Sequence, residues 1–126
     1  MTVRDHAGDF VTGPVGTTAD SGAVLTVRLR FTPDLPVVRL AGELDLASLH
    51  LLADALDSVA ATECTGNLVV LDLSEVTFCD VAGLRAVEMC ASSLEAADKQ
   101  LVLYATPDRI TKLIAITGVA RHLVRR

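Results

Sequence analysis

Residues 71–84 read LDLSEVTFCDVAGL. Leu68, Val69, Val70 and Leu71 lead into the stretch as four consecutive apolar positions, the pattern of a strand covered on both faces. A short loop follows and ends at Asp80. From there Leu84, Val87, Ala91 and Leu94 recur at helical spacing, with Arg85, Glu88, Ser92 and Glu95 on the other sides, which predicts an amphipathic helix. A buried strand passing through a tight loop into such a helix is the building unit of an α/β fold, and it places this strand at the centre of the sheet.

Upstream, Leu25, Val27, Leu29 and Phe31 alternate with Thr26, Arg28 and Arg30, the period of a strand with one wet face. The folded part opens at Val24. Thr32-Pro33-Asp34-Leu35-Pro36 turns the chain, and residues 37–41 are expected to pair back antiparallel. Gly42-Glu43-Leu44-Asp45 closes that second strand. Asp45 is a candidate N-cap for a helix marked by Leu49, Leu52, Leu56 and Val59.

Downstream, residues 101–104 read as another buried strand. Thr106 supplies an N-cap hydroxyl, Pro107 a first helical residue and Asp108 an early acid, followed by the apolar stripe Ile110, Leu113 and Ile114. Gly118 is placed to end that helix, and Leu123 and Val124 supply a short strand or turn. The order predicts a single α/β domain over residues 23–126: a mixed sheet of four to five strands with helices packed against it and parallel strand-helix-strand crossovers. Residues 1–22 are rich in Gly, Thr and Asp without periodicity, which predicts a disordered N-terminal tail.

The chain has 126 residues, 51% of them hydrophobic, and a net charge of -5. That suits one ordinary domain and offers no basic stripe for nucleic acid or an anionic membrane surface. No apolar run reaches the roughly 18 residues of a membrane span, and the N-terminus lacks a secretory core, so a cytoplasmic protein is expected. Cys64, Cys79 and Cys90 are odd in number and lack CxxC spacing, which points to idle thiols and not to a disulfide framework or a zinc site.

Residues 71–84 resemble the signature of STAS domains of the anti-sigma factor antagonist family, in which a strand reading roughly LDLS is followed by VTFxDSSGL. The resemblance extends over residues 24–118 and implies the family's fold. It further implies a partner: an anti-sigma factor of the serine-kinase type, which binds the unphosphorylated antagonist and phosphorylates a serine two residues after the aspartate. Here Asp80 is followed by Val81, Ala82 and Gly83, so the matched acceptor position is Ala82 and no phosphorylation is expected there. Ser74 and Thr77 lie nearby but do not match the acceptor. On the family's pattern the GELD segment and the second helix start form the partner-facing edge, giving Glu43, Asp45, Asp80, Val81, Ala82, Gly83, Leu84 and Arg85 as candidate partner-binding residues.

Other chemistry is weakly marked. Asp45 and Asp80 each follow a strand and precede a helix, so they share a rim; two N-caps are favoured over a catalytic or magnesium-binding pair. Gly83, costly inside a helix by about 1 kcal/mol, fits either a bare patch for a partner or tight helix-on-strand packing. The charge of Asp80 should raise the Cys79 thiol pKa. His6, His50 and His122 form no catalytic motif, and there is no glycine-rich phosphate loop. The expectation is a non-enzymatic binding module without metal or cofactor, with self-association left open. The rival roles are a STAS subunit regulating a transporter ATPase or a signalling scaffold, and an enzyme built on Asp45 and Asp80.

Overall fold

In the computed structural model, which describes residues 25–30, 35–61 and 66–126, the first alternating stretch becomes strand β1 (Leu25–Arg30) with Leu25, Val27 and Leu29 buried. Val24, Phe31, Cys64, the residues Thr32, Pro33 and Asp34 of the turn, and the expected tail with His6 lie outside the described residues. β1 pairs antiparallel with β2 (Val37–Leu44), Leu25 opposite Gly42 and Arg30 opposite Val37. A 3-10 turn (Leu46–Ser48) leads into helix α1 (Leu49–Ala60), which buries Leu52, Ala55, Leu56 and Val59. β3 (Leu68–Cys79) then runs parallel to β2.

Helix α2 (Val81–Ala96) buries Leu84, Val87, Ala91 and Leu94 as the spacing predicts. It returns the chain to β4 (Gln100–Tyr104), parallel to β3. Helix α3 (Asp108–Thr117) ends at Gly118, whose φ of 76° is the left-handed closure expected of it. β5 (Val124–Arg125) adds to β4 in parallel. The sheet is mixed, in the order β1-β2-β3-β4-β5, with three α-helices among the described residues. β3 is central, as expected.

Three local expectations are corrected. β2 does not close at Ala41 but continues through Gly42 and Glu43 to Leu44, and β3 does not break into a loop after Ser74 but continues to Cys79. Each extension gives the other its partner: Ala41 pairs with Glu75, Gly42 with Val76, Glu43 with Phe78 and Leu44 with Cys79, across two register shifts. Leu44 is 1% exposed, and full burial of a leucine stabilises by about 1.5–3 kcal/mol. That exceeds the weak strand preference of glycine and glutamate, a scale spanning about 1 kcal/mol. Second, Pro107 occupies the N-cap of α3, and Thr106 makes no capping bond. The proline carbonyl accepts from Ile110 and Thr111 N–H at 3.0 Å each, so the helix starts one residue later than the hydroxyl suggested.

The third correction concerns the faces of the sheet. Leu71, Leu73, Leu101 and Leu103 are buried on the side of α1 and α2, and those two helices also pack on each other. Leu68, by contrast, is 39% exposed and Val70 only half-buried. Among the described residues β3 is therefore covered by helices on one face and not on both. On the other face Asp72, only 5% exposed, is held by Arg39 Nε at 3.3 Å and by the Ser74 N–H at 2.9 Å.

Candidate functional site

The C-terminal ends of β2 and β3 lie side by side, and each strand hands the chain to a helical segment through an aspartate. After β2, the Asp45 carboxylate accepts from the Ala47 N–H at 3.0 Å and the Ser48 N–H at 3.3 Å. Ser48 reciprocates: its hydroxyl accepts from the Asp45 N–H at 3.0 Å and donates to the Glu43 carbonyl at 3.0 Å. This is a reciprocal capping box, and it buries Ser48 completely. The role of Ser48 was missed from the sequence, although a polar residue three positions after an N-cap aspartate is the available signal.

After β3, Asp80 caps α2. Its carboxylate accepts from the Gly83 N–H at 2.8 Å, and its own N–H reaches the Leu44 carbonyl at 3.4 Å. Both carboxylates therefore serve backbone donors that a helix start leaves without intrahelical partners, the capping role favoured from the sequence. Among the described residues no group of three or more His, Cys, Asp or Glu side chains is gathered to hold a metal ion.

Gly83 joins the two halves of the rim. A Cβ built on it would stand 2.1 Å from the Leu44 carbonyl oxygen and 2.7 Å from its carbon, so α2 is seated with bare backbone against the end of β2. Of the two readings of this glycine, tight packing is the one realised. Gly83 and Leu84 are both buried, and they position the helix start without offering side chains to the surface. Val81 and Ala82 are half-buried and Arg85 is exposed, while Glu43, Asp45 and Asp80 are half-buried around them. The eight candidate residues are thus brought to one rim, six of them with some surface.

Exposed apolar side chains that sequence reasoning did not single out are Leu46, 69% exposed, and Phe78 at this rim, and Met89, 64% exposed, about two turns further along α2. Leu46 had a signal in the sequence, since it follows the cap and falls outside the 49, 52, 56, 59 stripe. Met89 also lines, with Leu49, Ala53 and Ala86, a groove of about 160 Å³ between α1 and α2. At the end of β3 the Arg109 guanidinium, from the start of α3, donates to the Thr77 carbonyl. Thr77 is a strand residue, not a loop residue, and it is the extra residue of the register shift between Gly42 and Glu43.

Cys79 is not primed as a nucleophile. Burial first, and then the Asp80 and Asp45 carboxylates, push its thiol up to about 12; the sequence pointed to Asp80 but not to the larger effect of burial. Burial and then Asp57 push Cys90 up to about 11. At pH 8 thiols of that kind hold roughly a few hundred to a few thousand times less thiolate than an ordinary one near 8.5. Alkylation of the native chain with iodoacetamide, followed by peptide mapping, should leave Cys79 and Cys90 unmodified while the urea-unfolded chain reacts at both; equal rates would contradict the burial. The folded thiols retain protons that the unfolded chain releases near pH 9, so this contribution to stability is complete below that pH and is lost as pH rises toward 12. His50 is exposed, and His122 Nδ1 lies 3.8 Å from a Glu88 carboxylate oxygen that also accepts from the Ala120 N–H.

A mixed five-stranded sheet carrying a glycine-seated helix start on the rim of its central parallel pair defines a small α/β domain of the STAS type. Residues 27–125 match the family described as "Mlab, STAS domain", and the chain belongs to the STAS-domain family. Two relatives named "Anti-sigma-B factor antagonist", from Listeria monocytogenes and Listeria innocua, are each 32% identical over 81 residues, 64% of this chain and 69% of theirs. An anti-sigma factor antagonist from Mycobacterium paratuberculosis shares the fold with a TM-score of 0.68 at 23% identity, over 80% of this chain and 84% of that one. SpoIIAA in its unphosphorylated form gives 0.63 at 19% identity, over 80% and 88%. The SLC26A9 structure gives 0.59 at 16% identity, over 73% of this chain and 17% of that one. At these identities the structural likeness establishes the fold, and the resemblance read from residues 71–84 is borne out.

Proposed function

We propose that this chain is an anti-sigma factor antagonist, a non-enzymatic module that binds an anti-sigma factor of the serine-kinase type in the cytoplasm and so frees a sigma factor. The observation that carries this reading is the 32% identity to relatives bearing that name. The rim supplies the means. Its half-buried Ala82 and exposed Arg85, Leu46 and Phe78 offer apolar area bordered by charge, the composition of a protein-binding patch. Glu43, Asp45, Asp80 and Val81 complete the contact surface, with Gly83 and Leu84 holding α2 beneath it.

Regulation is where this chain differs from the family's pattern. Ala82 has no oxygen to receive a phosphoryl group, so a partner kinase bound at the rim cannot release itself by modifying this position. A phosphoryl group would bring about -1.5 to -2 of charge and three acceptor oxygens; without it, association persists in the presence of ATP. The enzyme reading of Asp45 and Asp80 loses support, because both carboxylates already cap helical segments.

Affinity capture from the source cell with the full chain as bait, followed by mass spectrometry, tests the proposal. A small kinase-like anti-sigma factor retained equally with and without ATP is the expected outcome. Recovery of a transporter ATPase or a larger scaffold instead would assign the chain to the alternative role, in which a STAS subunit steadies a bigger assembly. No helix among the described residues is long and apolar enough to cross a membrane.

A further inference from the structure

Helix α3 and the segment after it are basic on an acidic chain. Arg109, Lys112, Arg121, Arg125 and Arg126 are five of the chain's 11 Lys and Arg, whereas Asp108 is the one member of its 16 Asp and Glu that falls within residues 108–126. That stretch therefore carries +4 on a chain of net charge -5. All five cations are exposed, and among the described residues none forms an ion pair with a carboxylate, whereas Arg39 is paired with Asp72. Charge segregated in this way sets which partners a surface attracts.

The helix arranges part of this charge into a row. Ile110 and Ile114 are buried one turn apart, which fixes the inward face of α3. Side chains three and four apart on a helix are neighbours, so Arg109, Lys112 and Ile116 line up on the outward side, rising about 10 Å over two turns. Ile116 is 83% exposed. A single exposed isoleucine is ordinary, but this one ends a row of two cations. Asp108, at the helix start where the dipole favours an acid, makes no ion pair with Lys112. The head of the row is anchored: the Arg109 guanidinium donates to the Thr77 carbonyl at the end of β3. A guanidinium has five N–H donors, so this bond leaves others for a ligand. The Ala105 N–H donates to the Arg126 carbonyl at 3.1 Å, which brings Arg125 and Arg126 beside the residues that open α3.

Chemistry selects the occupant. Two cations next to an aliphatic side chain match a protein interface, where arginine is enriched and an apolar centre is bordered by polar groups. A membrane surface calls for several apolar side chains on the outer face, and α3 turns Ile110 and Ile114 inward. Nucleic acid is held by neutralising many phosphates, in which Ile116 has no part. We propose that the outer face of α3 is a second docking surface, taken by an acidic segment of a partner protein with two carboxylates toward Arg109 and Lys112 and an aliphatic side chain against Ile116. Alternate residues of an extended segment lie on one side about 7 Å apart, a spacing that suits the row. This surface lies beyond the rim and does not depend on the identity of the rim's partner.

NMR titration of the full chain with a synthetic peptide tests it. The probe repeats Glu-Ser-Glu-Ser-Leu, and its controls repeat Lys-Ser-Lys-Ser-Leu and Glu-Ser-Glu-Ser-Ser. The acidic probe should shift the amide resonances of residues 109–116 and the Ile116 δ1 methyl, and both controls should bind more weakly. Its dissociation constant should rise by about fivefold or more in Lys112→Glu and in Ile116→Ser, and with added salt. Both side chains are exposed, so both variants should melt with the parent chain. An equal response to the lysine peptide, an unchanged dissociation constant in either variant, or no shift in α3 at the highest soluble peptide concentration would overturn the proposal. Tighter binding of the row to a DNA duplex or to phosphatidylglycerol vesicles would also overturn it, and would assign the row to a polyanion.

Discussion

Replacing Gly83 by alanine is expected to destabilise the domain by about 1–3 kcal/mol, although alanine is the better helix former by about 1 kcal/mol. The competing terms differ in what can yield. A Cβ at this position would meet the Leu44 carbonyl oxygen at 2.1 Å and its carbon at 2.7 Å, and both are backbone atoms. Leu44 is paired with Cys79 and accepts from the Asp80 N–H, so moving it disturbs the junction of β2, β3 and α2 together. Overpacking a core with flexible neighbours costs about 1–3 kcal/mol, and a rigid neighbour places the clash at the upper end, above the propensity gain. A domain of about 100 residues loses roughly 4–8 °C of melting temperature per kcal/mol. Thermal unfolding followed by circular dichroism should therefore show a clear fall for Gly83→Ala and a larger one for Gly83→Val. A Gly83→Ala protein melting at or above the parent would mean that α2 is not seated on β2 in this way.

If the proposed anti-sigma factor docks on this rim, Ala82→Asp is expected to weaken that association by about a hundredfold, close to 2.7 kcal/mol, while leaving the fold intact. Ala82 is half-buried in the first turn of α2, where the helix N-terminus carries about half a positive charge. An aspartate there is favourable to the isolated domain by about 0.3–1 kcal/mol. The melting temperature should hold or rise, which separates lost binding from lost folding. At the proposed contact surface the same charge must be desolvated against the partner, and this cost sets the expected loss. Titration calorimetry with the captured anti-sigma factor measures it, and an unchanged dissociation constant would place the interface elsewhere. Ala82→Ser gives the complementary result: with partner kinase and ATP it should gain one phosphoryl group by intact mass, and the parent chain none. Phosphate on the parent chain would contradict a rim that phosphorylation cannot switch.

Much of this protein was legible before folding, for reasons particular to its residues. The stripe Leu84, Val87, Ala91, Leu94 marks α2 because helix burial repeats at a period the chain itself displays. Asp45 and Asp80 are readable as caps because the hydrogen bonds that matter are to backbone donors two or three residues away. The absence of a hydroxyl at Ala82 needs no geometry at all.

The rest depended on contacts between residues distant in the chain. Residues 42–44 and 75–79 become strand because each supplies the other's ladder, a pairing that polar side chains and two register shifts conceal from any periodicity. Gly83 could be assigned to packing only when the Leu44 carbonyl was found where its Cβ would lie, nearly forty residues back in sequence. Cys79 required the burial that β3 and its neighbours create. The sequence alone determined the order of strands and helices, the Asp45 and Asp80 caps and the absence of a hydroxyl at Ala82, because those follow from periodicity, local hydrogen bonding and covalent identity. Tertiary structure decided where the rim lies and which of its residues reach the surface, because strand register and helix seating arise only when distant segments meet.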